Sequence, residues 1–144
     1  MTEQFRLATI EDYPRIMEIW ESAVSATHHF LSEEDFIHFK QVIPTDYLPN
    51  LEVFLLVENE IPIGFSAASE GNLEMLFIHN DYRGKKYGKR LFQFMKASCA
   101  VDKVDVNEQN IQAIGFYEKL GFRRIGRSDQ DGSGKNYPII HMSL

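Results

Sequence analysis

Leu73–Met95, with the sequence LEMLFIHNDYRGKKYGKRLFQFM, decides how the rest of the chain is interpreted. It begins as an apolar, strand-like run and ends with Leu91, Phe94 and Met95 spaced along one helical face. Between them lies a short basic loop, Arg83–Gly88. A strand, a loop with glycine and a helix N-terminus bring together free backbone N–H groups and the positive end of a helix dipole. The stretch therefore predicts an anion site, and we expect it to bind the pyrophosphate of a coenzyme.

Charge is distributed unevenly along the 144 residues. The net charge is −6, yet residues 83–90 carry five basic side chains and no acidic one, so removing those five charges leaves −11 on the remainder. A local concentration of positive charge favours a small anionic ligand over a nucleic-acid-binding surface. We therefore expect no nucleic-acid partner.

Length and composition predict a single domain over residues 1–144, with 44% apolar and 25% charged residues. The first residues carry charges where a signal peptide has an apolar core. The longest apolar run, Val53–Val57, is too short to cross a bilayer. The single cysteine, Cys99, excludes an internal disulfide and fits a reducing compartment. We expect a cytoplasmic protein without a membrane partner, either a monomer or a homodimer.

The hydrophobic pattern alternates between strand and helix periods. Strands are predicted at Phe5–Ala8, Val53–Glu58, Ile63–Ser69, from Leu73 onward, Val101–Val106, Phe122–Arg127 and Tyr137–Leu144. Helices are predicted after Thr9 or Asp12, from Ser32 towards Leu48 unless Pro44 ends it sooner, after the basic loop, and over Glu108–Leu120 with Gly121 as C-cap. This order predicts one α/β domain with a mixed sheet.

Two motifs in this order resemble those of the GCN5-related N-acetyltransferase (GNAT) superfamily. LFIHNDYRGKKYGKRL is similar to the family's acetyl-CoA pyrophosphate loop, Arg/Gln-x-x-Gly-x-Gly/Ala, and NEQNIQAIGFYEKLGF is similar to its downstream N-x-x-A-x-x-x-Y-x-x-x-G-F element. The resemblance extends from the first strand to the last hairpin. It implies an α/β (α+β) fold with a mixed, mostly antiparallel central sheet of about seven strands and about four helices.

The same resemblance implies an enzyme that moves the acetyl group of acetyl-CoA directly to a primary amine of a small molecule or protein. A non-catalytic acyl-CoA-binding module is an alternative, because it would share the loop. A nucleotide-phosphate binder of unrelated fold is a third hypothesis, and the second motif argues against it. The acceptor cannot be read from the sequence, because acceptor loops vary between members of one fold.

Coenzyme contacts are assigned by resemblance. Residues beside the pantetheine arm would be Leu76, Phe77 and Ile78; the pyrophosphate loop would be Arg83, Gly84, Lys85, Lys86, Tyr87, Gly88 and Lys89; and Asn110, Ala113 and Phe116 would lie along the coenzyme. Lys86 stands where the family has its middle glycine, and we expect it to adopt helical dihedrals at the helix start. We expect no metal, since His28, His29 and His38 have no recognised ligand spacing.

Catalysis requires a base and an acid. A lysine-like amine with a pKa near 10.4 must lose a proton before it attacks. Glu74 is a charge inside an apolar strand and His28 is an imidazole in the loop after the first helix; either of them, or a water chain, could accept that proton. Tyr117 matches the family's tyrosine acid, which would protonate the departing thiolate. His28, Phe30, Asp129 and Tyr137 are expected to border the acceptor, Phe30 mainly by anchoring its loop.

Overall fold

The structure, a computed structural model, describes residues 3–144. Seven strands form one sheet in the order β1-β2-β3-β4-β5-β7-β6. The strands are β1 (Glu3–Leu7), β2 (Glu52–Glu58), β3 (Ile61–Ser69), β4 (Asn72–Ile78), β5 (Lys103–Asn107), β6 (Arg123–Ser128) and β7 (Ile139–Ser143). The α-helices are α1 (Tyr13–Thr27), α2 (Glu33–Val42), α3 (Tyr87–Cys99) and α4 (Ile111–Lys119). The predicted mixed, mostly antiparallel sheet with four helices is confirmed.

The centre of the sheet is where β4 and β5 run parallel, whereas every other neighbouring pair is antiparallel. Among residues 3–144, the β4–β5 ladder consists of two pairs, Asn72 with Lys103 and Leu73 with Val104. Beyond Leu73, β4 continues to Ile78 without pairing to β5, whereas β5 pairs with β7 on its other side along its whole length, from Lys103 to Asn107. The two strands therefore diverge, and the edge of β4 beyond Leu73 faces this gap with backbone donors and acceptors.

A bulge in β4 sets which side chains face which layer. The β3–β4 register shifts between Ala67, which pairs with Met75, and Ala68, which pairs with Leu73, so Glu74 is the extra residue. Because of this bulge, the simple alternation of faces along β4 is interrupted, and Glu74 is exposed between two inward-facing neighbours.

Two hydrophobic cores cover the two faces of the sheet. One lies under α3 and α4 and includes Leu91, Met95 and Tyr117. The other lies under α1 and α2 and includes Trp20 and Phe65. Full burial of one leucine-sized side chain contributes about 2 kcal/mol, so the apolar stripes of these helices hold them on the sheet.

The second helix ends earlier than its longest predicted extent. α2 stops at Val42, and a single π-helical turn, Ile43–Tyr47, follows. Pro44 lacks the N–H that would continue the α-helical ladder, so the alternative in which Pro44 ends the helix is confirmed. The predicted start of the last helix at Glu108 is wrong, because the chain turns through residues 107–110 first and α4 begins at Ile111. No helix within residues 3–144 has the length and hydrophobicity to span a membrane.

Candidate active site

A cavity of about 560 Å³ lies where β4, the basic loop and α4 meet. Its walls include most of the predicted coenzyme residues: Leu76, Phe77, Ile78, Arg83, Gly84, Lys86, Tyr87, Gly88, Lys89, Asn110, Ala113 and Phe116. His28 and Tyr117 line the same space. Lys85 is the one predicted coenzyme residue that is not part of the wall. Segments far apart in the sequence therefore form one site.

The loop is shaped by two residues with positive φ. Gly84 has φ of +80°, which glycine adopts without steric cost. Lys86 has φ of +64° and ψ of +19°, which is the left-handed region, immediately before α3 begins at Tyr87. The predicted helical dihedrals of Lys86 are therefore wrong: the lysine keeps a conformation that glycine adopts more easily. The first backbone N–H groups of α3 follow directly and have no partner inside the helix, which suits them to an anion.

Cationic side chains on the cavity wall add to these N–H groups. Arg83, Lys86, Lys89 and Lys119 all line the cavity. The guanidinium of Arg83 donates to Oε1 of Gln112 on α4 at 3.1 Å, so the loop is held against that helix. The sequence did not predict Gln112 and Lys119 as site residues, because neither is a motif position. Only the packing of α4 on the sheet shows that both lie on the side of the helix that faces the cavity.

Two residues at the start of α3 connect the loop with the strands β1 and β2, and Arg90 also donates to the backbone carbonyl of Lys85 in the loop at 3.3 Å. Arg90 pairs with the carboxylate of Glu3 at 2.9 Å and lies 4.6 Å above the ring of Tyr87. The hydroxyl of Tyr87 donates to Glu58, and this bond raises the pKa of Tyr87 above its ordinary value. These contacts tie the helix start to the outer strands of the sheet and so stiffen one wall of the cavity.

Tyr117 is buried on α4 between two aromatic rings. Its ring centroid lies 5.0 Å from that of Phe116 and 5.5 Å from that of Phe122, both edge-on. Burial raises the pKa of Tyr117 above its ordinary value, so the phenol keeps its proton at pH 7. The C-cap of α4 is Leu120, so the prediction of Gly121 as the C-cap is one residue late; Gly121 follows directly, and its φ of +103° turns the chain out of the helix.

His28 lies at the C-terminal end of α1, and Asn110 caps α4. The side-chain carbonyl of Asn110 accepts from the backbone N–H of Ala113 at 3.1 Å, and its amide nitrogen lies 3.4 Å from Nε2 of His28. Burial, and to a lesser extent the nearby His29, lowers the pKa of His28 to about 4. Thr27, which was missed from sequence, contacts the other ring nitrogen at 2.7 Å.

Glu74 lies outside the cavity wall. Its side chain is exposed at the bulge and accepts a hydrogen bond from the amide of Asn72. The role of Glu74 as a base stays a prediction.

The remaining acceptor candidates fall into two groups. The ring of Phe30 lies 5.1 Å from His28 and 6.2 Å from Tyr137, so these three rings form a continuous wall. The hydroxyl of Tyr137 donates to Asp35 and accepts from the backbone N–H of Ser32 at 3.3 Å, which joins the last hairpin to the start of α2. In contrast, the carboxylate of Asp129 is exposed and pairs with Arg127 at 2.5 Å.

Lys135 strengthens the same junction, since its ammonium lies 2.8 Å from Asp35. This contact, with that of Tyr137, lowers the pKa of Asp35 to about 2. Among residues 3–144, no group of three or more His, Cys, Asp or Glu side chains is placed to hold a metal ion.

Comparison with known proteins identifies the family. Residues 21–144 match the sequence model of the acetyltransferase (GNAT) domain. The chain is 34% identical over 143 residues to the peptidyl-lysine N-acetyltransferase YjaB of Salmonella typhimurium, covering 99% of this chain and 98% of that protein. It is 35% identical over 144 residues to YjaB of Escherichia coli, covering 99% and 97%.

The fold agrees. The solution structure of apo-form YjaB from E. coli superposes with a TM-score of 0.89 at 34% identity, covering 99% of this chain and 97% of that one. A GCN5-related N-acetyltransferase structure from Rhodopseudomonas palustris superposes with a TM-score of 0.80 at 19% identity, covering 100% and 97%, which shows the shared fold. The chain belongs to the GNAT family, and the predicted acetyl-CoA-dependent N-acetyltransferase is confirmed over the non-catalytic alternative.

Proposed function

We propose that this member of the GNAT family acetylates the ε-amino group of lysine side chains in proteins or peptides, with residues 1–144 as one catalytic domain. The observation that carries the proposal is the single cavity that joins the basic loop, the free edge of β4 and Tyr117. The acceptor class is supported by two relatives with full-length similarity, both peptidyl-lysine N-acetyltransferases.

Acetyl-CoA would lie along this cavity with its pyrophosphate at Arg83–Lys89. Backbone N–H groups at the start of α3 and the cations on the wall would hold the phosphates. The pantetheine arm would follow Leu76–Ile78, because β4 beyond Leu73 has no strand partner on the side of β5 within the described residues. This placement brings the thioester towards the middle of the sheet.

Transfer then requires nucleophilic attack by a neutral amine and departure of the coenzyme thiolate. The amine nitrogen forms a bond to the acetyl carbon, the C–S bond breaks, and the electron pair leaves with sulfur. Tyr117 would donate its proton to that sulfur, and a positioned acid of this kind contributes roughly 10²–10⁴ in rate. The amine nitrogen loses one proton, either through water to Glu74 or to His28.

Access for the acceptor would be along the wall of Phe30 and Tyr137. These rings extend from His28, which lines the cavity at the end of α1, to Asp35 at the start of α2, and Phe30 and Tyr137 lie beyond the cavity wall itself. Aromatic faces suit the aliphatic stem of a lysine side chain, which buries its methylenes while its amine reaches further in. Asp129, exposed and paired with Arg127, would lie at the rim.

The compartment and assembly are part of the proposal. Burial raises the pKa of the Cys99 thiol, and the nearby Glu52 adds to this effect, so the thiol is poorly reactive. An unreactive lone cysteine fits the reducing cytoplasm. A monomer and a homodimer both remain compatible with the site, and sedimentation distinguishes them.

The test is acetylation of a synthetic peptide with a single lysine and a blocked N-terminus. We expect coenzyme A release with an equal amount of peptide gaining one acetyl group at lysine. The matched control peptide carries arginine instead, whose guanidinium stays protonated and does not react. Thiol release without peptide modification, or acetylation of spermidine or an aminoglycoside in preference to lysine peptides, would contradict the proposed acceptor class.

A further inference from the structure

The hydrogen bonds around His28 determine which ring nitrogen carries its proton. The hydroxyl of Thr27 lies 2.7 Å from the backbone carbonyl of Ala23, which can only accept, so the single hydroxyl proton is used there. The same hydroxyl oxygen lies 2.7 Å from Nδ1 of His28. Because that oxygen has no second proton to donate, it accepts, and Nδ1 must carry the hydrogen.

The opposite side of the ring gives the same answer independently. The side-chain carbonyl of Asn110 is committed to the backbone N–H of Ala113 at 3.1 Å, so the amide nitrogen of Asn110 faces His28. That nitrogen is a donor, and Nε2 of His28 must therefore accept. Both ends require a neutral imidazole protonated at Nδ1, and the low pKa of the buried ring agrees with neutrality at pH 7.

The hydrogen bond that Nε2 of His28 accepts from Asn110 is weak. The contact from Asn110 to Nε2 is 3.4 Å long, beyond the usual 2.7–3.2 Å range for such bonds. Thr27, His28 and Asn110 line the same cavity as Tyr117. A stronger donor that enters the cavity can therefore replace the amide of Asn110 at Nε2.

We propose that Thr27 and Asn110 lock His28 in the Nδ1–H tautomer so that Nε2 receives an N–H of the acceptor amine as it attacks the thioester. This rests on the proposed function. The N–H bond directed at Nε2 leaves the nitrogen lone pair free to form the C–N bond. In the opposite tautomer, Nε2 would carry a hydrogen and donate it to the lone pair of the amine, which would then be unavailable for attack.

The protons and electrons balance without a further reactant. As the C–N bond forms, the nitrogen becomes positively charged and far more acidic than a free ammonium ion, so even a weakly basic imidazole can take its proton. The C–S bond breaks, and sulfur receives the proton of Tyr117. His28 then loses its extra proton to solvent, Tyr117 regains one, and the products are an amide and a free thiol.

The first test reads the tautomer directly. In ¹⁵N-histidine-labelled protein at pH 7, long-range ¹H–¹⁵N spectra should show His28 with a protonated Nδ1 and an unprotonated Nε2. The His28→Gln variant assigns the signal. A protonated Nε2 in the wild-type protein would overturn the proposal, and this reading needs no acceptor.

The second test uses a matched pair at Thr27, a positioning residue. Thr27→Ser keeps the hydroxyl, whereas Thr27→Val keeps the shape and removes the acceptor for Nδ1–H. We expect Thr27→Val to populate the Nε2–H tautomer and to lose about tenfold or more in kcat with the lysine peptide. Its acetyl-CoA affinity should match that of Thr27→Ser, whose retained hydroxyl should keep its kcat well above that of Thr27→Val. A lower melting temperature is expected for Thr27→Val, because the carbonyl of Ala23 and the ring of His28 both lose the hydroxyl.

Equal turnover of the two variants despite a changed tautomer would overturn the role of Nε2. If Thr27→Val lost acetyl-CoA affinity together with turnover, the role of Nε2 would also be overturned, because the substitution would then act by disturbing the structure of the site. If the wild-type protein acetylates no lysine peptide, the proposed function fails, and the tautomer spectrum separates that failure from an error in the assignment of His28.

Discussion

Replacement of Lys86 by glycine should make the protein more stable while weakening its hold on acetyl-CoA. Lys86 has left-handed dihedrals, φ of +64° and ψ of +19°, at the position directly before α3. It also lines the coenzyme cavity. The backbone conformation and the side-chain charge therefore have opposite consequences at the same residue, and substitution can separate them.

The expected changes in stability and in acetyl-CoA affinity have different physical origins. A residue with a Cβ loses about 1–2 kcal/mol in the left-handed region, whereas glycine loses about 0.5–1 kcal/mol of extra chain entropy on folding. The net gain for Lys86→Gly is about 1 kcal/mol, which raises the melting temperature of a chain of this size by about 3 °C. Loss of a solvent-accessible cation near phosphate removes up to about 1 kcal/mol, or about fivefold in acetyl-CoA affinity.

The assay compares three variants by thermal unfolding and by calorimetric titration with acetyl-CoA. Lys86→Ala removes the charge and keeps the strain. Ala100→Gly relieves a second left-handed residue, φ of +52°, at the other end of α3 and away from the cavity wall. Both glycine variants should be stabilised. Both Lys86 variants should bind acetyl-CoA equally weakly, with a difference from wild type that shrinks at high salt.

Two results would refute this reasoning. Equal stability of Lys86→Gly and Lys86→Ala would show that the left-handed backbone costs nothing at this position. Tighter binding of acetyl-CoA by Lys86→Gly would show that the lysine side chain obstructs the phosphates.

Three further outcomes are expected. Gly88→Ala should fold normally, because an added Cβ would lie 3.6 Å from the ring of Phe116, an ordinary contact distance. It should weaken acetyl-CoA binding, measured by titration, because the added methyl group narrows the cavity. Unchanged affinity would show that Gly88 does not lie beside the bound coenzyme. Folding lowers the pKa of His28 from about 6.5 to about 4, so between pH 6.5 and pH 4 the unfolded chain binds more protons than the folded one. The free energy of unfolding of the wild-type protein should therefore fall by at most about 3 kcal/mol as the pH drops through this window. Denaturant unfolding of His28→Gln should lack that fall. Tyr137→Phe, which removes the bond to Asp35, should lower stability by about 1 kcal/mol and raise the peptide KM, whereas unchanged KM would place the last hairpin outside the acceptor site.

The parts of the fold with a local signal were predictable from sequence. Alternating or helical spacing of apolar residues identified the strands and helices, and Gly121 marked the end of α4 because its φ of +103° is unfavourable for other residues. The strand, loop and helix of residues 73–95 could be recognised as one anion site because the residue types that make such a site are contiguous in the chain.

What escaped sequence analysis depends on contacts between distant segments. The bulge at Glu74 arises from the register between β3 and β4, and no residue type near it is specific to bulges. Lys86 adopts left-handed dihedrals that lysine disfavours, so the conformational preference of lysine predicts the wrong backbone conformation at this position. Thr27 became visible as a site residue only when α1 and α4 were brought together, since its partner His28 reaches Asn110 across 82 residues of chain.

The central claim is that Tyr117 protonates the departing thiolate in a cavity that also holds acetyl-CoA. Tyr117→Phe removes the hydroxyl and keeps the ring between Phe116 and Phe122. The decisive measurement is therefore the turnover of this variant with the lysine peptide, alongside its affinity for acetyl-CoA. We predict that kcat falls by about 10²-fold or more while the affinity stays within about twofold of wild type. Unchanged turnover would contradict the acid role of Tyr117, and a parallel loss of acetyl-CoA binding would show that the residue acts through the fold.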